Sequence, residues 1–275
     1  MRISTLAIAA LVLFVVSVPL YADQAAAEQV SVKQDLGVQE RFLNLPTREG
    51  VTVPTWVISP RPAQASVVLF AGGGGKLKIS EDGIRKRGNF LIRSRDLFAE
   101  QGFVVLIPDV PSDQGDLRSF RIGEDHAYDV KAMIAWLRQH NPGKPVWLIG
   151  TSRGVLSVAS VAAKISSEQG PDGIILSASV TRPSNAGADS LQDVELEKIM
   201  VPTLLVHHEQ DECYVTPFED IPELFNDFKQ VKSKQIKSYR GGENLGHECR
   251  SKSYHGFKGI EGAVVNDVSD WIRAH

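Results

Sequence analysis

Cysteine is almost absent from this chain: Cys213 and Cys249 are the only two among 275 residues. One disulfide is the most that can form, so stability must rest on a packed core. An excess of one charge is also missing. Lys and Arg total 30 against 33 Asp and Glu, a net charge of −3 with a pI near 6.2. That balance argues against a nucleic-acid partner, which calls for a basic face. Repeats, low-complexity tracts and linker-like stretches are lacking as well, so nothing divides the sequence into parts. The one long apolar run lies at the N-terminus. There Arg2 precedes the almost wholly apolar stretch Leu6–Leu20, and Leu20-Tyr21-Ala22 offers a small residue just before Asp23. This is the layout of a secretory signal peptide over residues 1–22, shorter than the roughly 20 apolar residues of a membrane span. The expectation is a secreted or periplasmic protein with no stable membrane insertion after removal of that segment. The polar, Ala- and Gln-rich stretch 23–40 reads as a leader, and 41–275 as a single domain.

What the chain does have is an ordinary globular composition, 43% hydrophobic and 23% charged, enough to bury a full core. Arg41–Leu45 and Val51–Ile58 have β character and are separated by Thr47-Arg48-Glu49-Gly50, a hairpin pattern. From Ser66 onward the pattern becomes strand, loop, helix, repeated. Strands are predicted at Val67–Phe70, Phe103–Ile107, Pro145–Ile149, Gly173–Ser177, Thr203–Val206 and Gln235–Tyr239. Helices are predicted at Leu91–Gln101, Glu124–His140, Val155–Ile165, Pro217–Phe228 and Gly259–Arg273. Strands that are apolar throughout are buried on both faces, and alternation with helices implies parallel crossovers. The predicted architecture is therefore α/β: a doubly wound, mostly parallel sheet with helices on both faces and an antiparallel hairpin at its N-terminal edge.

Gly150-Thr151-Ser152-Arg153-Gly154 is a G-x-S-x-G sequence between a predicted strand and a predicted helix. A sharp turn at that junction presents a serine hydroxyl at the carboxyl end of a sheet, with a helix N-terminus beneath it. On this motif and its context the chain resembles the α/β-hydrolase superfamily from about Arg41 to Ile272. The resemblance implies a nucleophile at Ser152, an acid after the next-to-last strand and a histidine after the last. Asp211, in the loop beyond Thr203–Val206, fills the acid position, with Glu209 and Glu212 as rivals. Two histidines follow the last strand. His247 is closer to it, whereas His255-Gly256-Phe257 resembles the His-Gly-Phe that closes the triad in dienelactone-hydrolase-like enzymes, and His255 is favoured as the base. Cys213 lies just past Asp211 and Cys249 just before His255. In an exported protein a bond between them would tie the acid loop to the histidine loop.

Gly72-Gly73-Gly74-Gly75 follows the first central strand. A P-loop would need glycine where Phe70 stands, and a dinucleotide fingerprint would need glycine or alanine in place of Leu77. The glycines instead match the position of an oxyanion loop. Amides of Gly73 and Gly74 are the expected donors, joined by that of Arg153. His207, Glu209 and Asp211 alternate in a metal-like way, but no second ligand pair at zinc spacing accompanies them, so neither metal nor cofactor is expected. Only a short insertion, Thr181–Met200, stands where large lids occur in the superfamily. The 75–89 loop carries Lys76, Lys78, Arg85, Lys86 and Arg87, a solvated cluster or a preference for an anionic substrate. The expected activity is hydrolysis of small or medium carboxylic esters through an acyl-enzyme. A peptidase or amidase with the same triad, or a non-catalytic binding module on this fold, are the alternatives.

Overall fold

The structure, a computed structural model, describes residues 30–31, 37–166, 168–184 and 189–275. Residues 1–22, read above as a signal peptide, and most of the stretch read as a leader lie outside the described residues. In chain order the strands are β1 (Val30–Ser31), β2 (Gln39–Arg48), β3 (Val51–Ser59), β4 (Ala65–Phe70), β5 (Ile79–Ser80), β6 (Gly83–Ile84), β7 (Phe103–Pro108), β8 (Val146–Thr151), β9 (Gly173–Ser177), β10 (Thr203–His208) and β11 (Lys234–Tyr239). The helices are α1 (Phe90–Arg93), α2 (Arg95–Glu100), α3 (Glu124–His140), α4 (Gly154–Lys164), α5 (Ile221–Asp227) and α6 (Glu261–Ala274). No helix of the described residues is long and apolar enough to cross a membrane.

Nine strands form one sheet in the order β1-β2-β3-β7-β4-β8-β9-β10-β11. The first three pair antiparallel, β3 pairs antiparallel with β7, and every neighbour from β7 to β11 is parallel. The expected hairpin is present but begins at Gln39, and β1 adds a further strand from within the stretch read as leader. Its turn is anchored to α3, where the Arg48 Nε donates to the fully buried carboxylate of Asp129 at 2.8 Å. Strands β4, β7 and β8 are buried along their whole length, which is what two covered faces require. One face packs on α3, α4 and α5 through residues such as Val130, Leu156 and Leu224. The other packs on α1, α2 and α6 through Leu91, Phe98 and Val264.

Two predicted helices differ in detail. The Leu91–Gln101 stretch is broken at Ser94 into α1 and α2. Phe90, Leu91 and Ile92 are consecutive and all buried, whereas successive residues of one helix point about 100° apart. A break is what turns Phe98 and Ala99 back onto the same core. The Pro217–Phe228 stretch opens with a 3₁₀ turn, Phe218–Asp220, before α5. What matters for the site is the order of the central strands. The chain leaves β4 toward β7 on one side, and leaves β8 toward β9 on the other. Connections that part at the carboxyl ends of adjacent strands open a crevice there.

Candidate active site

Ser152 stands at that crevice. Its φ is +53°, a left-handed conformation that costs a residue with a Cβ and persists only where its surroundings enforce it. The surroundings are backbone: the Ser152 N–H donates to the Ser177 carbonyl at 2.9 Å, and α4 starts two residues later. A Cβ on Gly150 would lie 2.5 Å from the Gly154 carbonyl oxygen, and one on Gly154 would lie 2.1 Å from that of Phe70. Both glycines are therefore sterically required by the turn.

Beyond β10, the carboxylate of Asp211 is sealed from solvent. Oδ1 accepts the Cys213 N–H at 3.0 Å, and Oδ2 accepts both the Thr216 hydroxyl and His255 Nδ1 at 2.9 Å. The Thr216 hydroxyl also lies 3.1 Å from His255 Nδ1. Holding Nδ1–H on the carboxylate leaves Nε2 as the nitrogen with a free lone pair. His207 closes the floor of this cluster, its Nε2 donating to the Thr216 carbonyl at 2.8 Å. Burial pushes the His207 imidazole down to about 4, so it stays neutral beside Asp211 at ordinary pH.

His255 sits in a 3₁₀ turn, Tyr254–Gly256, ended by Phe257 at φ +54°. A Cβ on Gly256 would meet the Ser251 carbonyl at 2.3 Å, so the glycine after the histidine has a packing reason. Arg93 holds the turn from α1, donating to the Gly256 carbonyl at 2.5 Å and pairing with Glu261 of α6 at 2.8 Å. A disulfide joins Cys213 to Cys249 with Cα atoms 4.6 Å apart. His247 is exposed on the same loop and pairs with Glu248 at 3.3 Å. The structure thus brings His255, not His247, to Asp211. Ser152 and His255 line one cleft, but no hydrogen bond joins them; the bonds made by the imidazole run through Nδ1.

The glycine loop lies against the serine. A Cβ on Gly72 would approach the Ser152 Cβ to 2.9 Å, and Gly73 and Gly75 have φ of +60° and +73°. The loop is fixed from below by Arg121, which donates to the Ala71 carbonyl at 2.8 Å, the Gly73 carbonyl at 3.2 Å and the Ser157 hydroxyl at 2.6 Å. Burial, with Arg153 as a second cause, lowers the Arg121 guanidinium to about 9, and it remains charged at neutral pH. Farther along, the buried carboxylate of Asp109 accepts the N–H groups of Leu77 and Ile79 at 2.8 and 2.7 Å, tying the 75–89 loop to the end of β7.

The cleft has a volume of about 480 Å³ and is walled by the serine turn, the glycine loop, the histidine turn and cations from three loops: Lys76 and Lys86, Arg118, and Arg250. Asp116 is the carboxylate among its walls and pairs with Arg118 at 2.8 Å. Metal ligation finds little support. His207 and Glu209 turn to separate partners, Thr216 and Arg240. His247, Glu248 and Cys249 lie together on the surface, but the Cys249 sulfur is committed to the disulfide, which leaves too few donors for zinc.

Arg121, Thr216, Asp109 and Arg93 were not legible as site residues. Arg118 and Arg121 look alike in sequence, yet the first side chain is 63% exposed and the second residue 1%. Arg93, Asp109 and Arg121 act through partners at least 30 residues away, and Thr216 joins Asp211 to His255, 39 residues on, which local pattern does not encode.

The chain matches no protein-family model and no curated relative by sequence. Solved structures do match. An esterase of Pyrococcus furiosus is 13% identical with a TM-score of 0.62, covering 90% of this chain and 97% of that one. A dienelactone hydrolase of Anabaena variabilis is 15% identical with a TM-score of 0.60, covering 87% and 99%. A lid-less α/β serine hydrolase of Xanthomonas campestris is 15% identical with a TM-score of 0.57, covering 87% and 95%. The chain has the α/β-hydrolase fold, as the serine motif implied.

Proposed function

We propose that this protein is a serine hydrolase that cleaves carboxylic esters of small or medium-sized molecules. The observation that carries the reading is the buried Asp211–His255 pair at 2.9 Å, on the same cleft as a serine held at positive φ in a strand–turn–helix junction. His255, with Nδ1–H fixed by Asp211, accepts the Ser152 proton on Nε2 as the hydroxyl oxygen attacks the acyl carbonyl. Backbone N–H groups of the glycine loop and of Arg153 receive the oxyanion, each worth about 2.7–4 kcal/mol of transition-state stabilisation. His255 then protonates the leaving alcohol, and water, activated by the same imidazole, releases the acid and restores Ser152. No step calls for a cofactor.

The cations around the cleft support an ester that carries its own negative charge, since among the described residues no carboxylate pairs with Lys76, Lys86 or Arg250. The apolar N-terminus and the disulfide support export to an oxidising compartment. A fluorophosphonate probe tests the chemistry. Wild type is expected to be labelled and Ser152→Ala is not; full labelling of the alanine variant overturns the assignment. A panel of acyl esters, aminoacyl amides and carboxylate-bearing esters then separates esterase from amidase and reads the charge preference. Mass spectrometry of exported protein is expected to find a mature start near Asp23.

A further inference from the structure

Arg121 is an anomaly in electrostatic terms. It is 1% exposed, and among the described residues no carboxylate pairs with it. Burying an ion costs several kcal/mol even after relaxation, and this one is left with its Nε lacking any partner. A neutral side chain would fill the same space more cheaply unless the charge has a use. Its remaining donors go to two loop carbonyls, Ala71 and Gly73, and to Ser157 in the first turns of α4.

Those two carbonyls define what the neighbouring amides do. In a trans peptide the C=O of one residue and the N–H of the next point in opposite directions, and no cis bond occurs in this loop. Drawing the Ala71 and Gly73 oxygens down onto the buried guanidinium therefore turns the N–H groups of Gly72 and Gly74 the other way. Arg121 is not part of the cleft wall, whereas Gly72, Gly74 and Ser152 are. Among the described residues neither N–H finds an acceptor. Gly72 faces Ser152 so closely that a Cβ there would come within 2.9 Å of the serine Cβ. Two unsatisfied donors are thus aimed from the guanidinium toward the reacting side of the serine.

We propose that Arg121 is the positioning residue of the oxyanion hole: it selects the Gly72 and Gly74 amides as donors, locks them to the serine helix through Ser157, and polarises both peptides toward the oxyanion. This rests on the serine-hydrolase reading, and it replaces Gly73 with Gly72 among the donors expected from sequence. Gly73 instead supplies a carbonyl to the clamp. The charge is then used without touching substrate. Each peptide dipole between the cation and the developing anion is aligned in advance, in a dry interior where such alignment is most effective.

The test compares Arg121→Met, Arg121→Lys and Ser157→Ala with wild type on one ester. Inhibition by a boronic acid, whose serine adduct places an anionic oxygen in the hole, is measured alongside. Arg121→Met is expected to lower kcat by about 10²–10³-fold with KM within about twofold, and to weaken boronate binding in proportion. Arg121→Lys keeps the charge but cannot span two carbonyls and a hydroxyl, so a partial loss is expected. Ser157→Ala, which removes one anchor of the clamp, is expected to lose less still, with boronate affinity again following kcat. Should Arg121→Met fail to fold, the other two variants decide. Normal kcat in folded variants, or lost kcat with boronate affinity unchanged, overturns the proposal. Failure of wild type to react with the fluorophosphonate probe sinks the hydrolase reading instead, and the two failures are distinct.

Discussion

The glycine loop and the histidine loop both line the cleft, and they are held by different means. The glycine loop has no side chains of its own, is backed by a buried cation, and closes its carbonyls onto Arg121 and the Leu117 amide. The stretch from Arg240 to Gly246, leading to the histidine, is exposed throughout. It is moored at separate points: the disulfide, the Arg93–Gly256 bond, and backbone bonds from Glu243 to Lys258 and from Leu245 to Lys252. Every carbonyl from Ala71 to Gly74 finds a partner within the protein, so the backbone of the first loop is set bond by bond. Water satisfies most of the second, which needs fixing only where the imidazole must be placed.

The largest effect that sharpens this contrast lies within the histidine loop. His255→Ala is expected to reduce kcat on the order of 10⁴-fold or more, and His247→Ala to leave it within about twofold. Near-normal turnover by the first variant in a pH-controlled assay removes His255 as the base. Breaking the disulfide comes next. Cys249→Ser opens a 36-residue loop, worth about 3–4 kcal/mol in the chain-entropy model. A lowered denaturation midpoint is expected, along with no titratable thiol in the unreduced, denatured wild type. Two free thiols there contradict the bond.

The glycine loop is better probed by adding a methyl group. Gly75→Ala meets Leu117 at 2.6 Å at a φ of +73°, whereas Gly50→Ala at φ +69° meets nothing. Both pay about 1–2 kcal/mol for the left-handed conformation; only the first has a clash as well, so its midpoint should fall further. Equal losses would show that the packing around the loop is slack. The effect that vanishes at neutral pH, and so comes last, is acid sensitivity beneath this loop. His126 is buried edge-on against Phe70 and Phe120 with neither ring nitrogen bonded, and burial pushes it down to about 3. Such a histidine takes up its proton only on unfolding. Its contribution is complete above about pH 6.5 and is lost as pH falls toward 3, at about 1.4 kcal/mol per pH unit. His126→Phe should flatten that part of the stability profile, and a profile of unchanged slope refutes the assignment.

Much of the frame was legible. Gly150 and Gly154 announce the turn because no other residue fits it, and β4, β7 and β8 read as central strands because they are apolar throughout. The resemblance pointed to Asp211 by its place after a strand and to His255 by the His-Gly-Phe sequence, and the structure pairs those two side chains and the two cysteines that flank them. The break at Ser94 was not legible, since helical pattern does not say that three successive residues must all be buried. Nor was the clamp. Arg121 and Arg118 lie in one short basic stretch, and only the fold decides that one faces water and the other a row of carbonyls.

Read in the order of synthesis, the cleft acquires its parts in sequence: glycine loop, serine, acid, histidine. The final piece is also the one whose support is made latest, for Arg93 holds the Gly256 carbonyl while braced on Glu261, at the start of the last helix. Loss of that brace would leave the imidazole to its bond with Asp211 and to the disulfide, with Arg93 free to swing away from the turn.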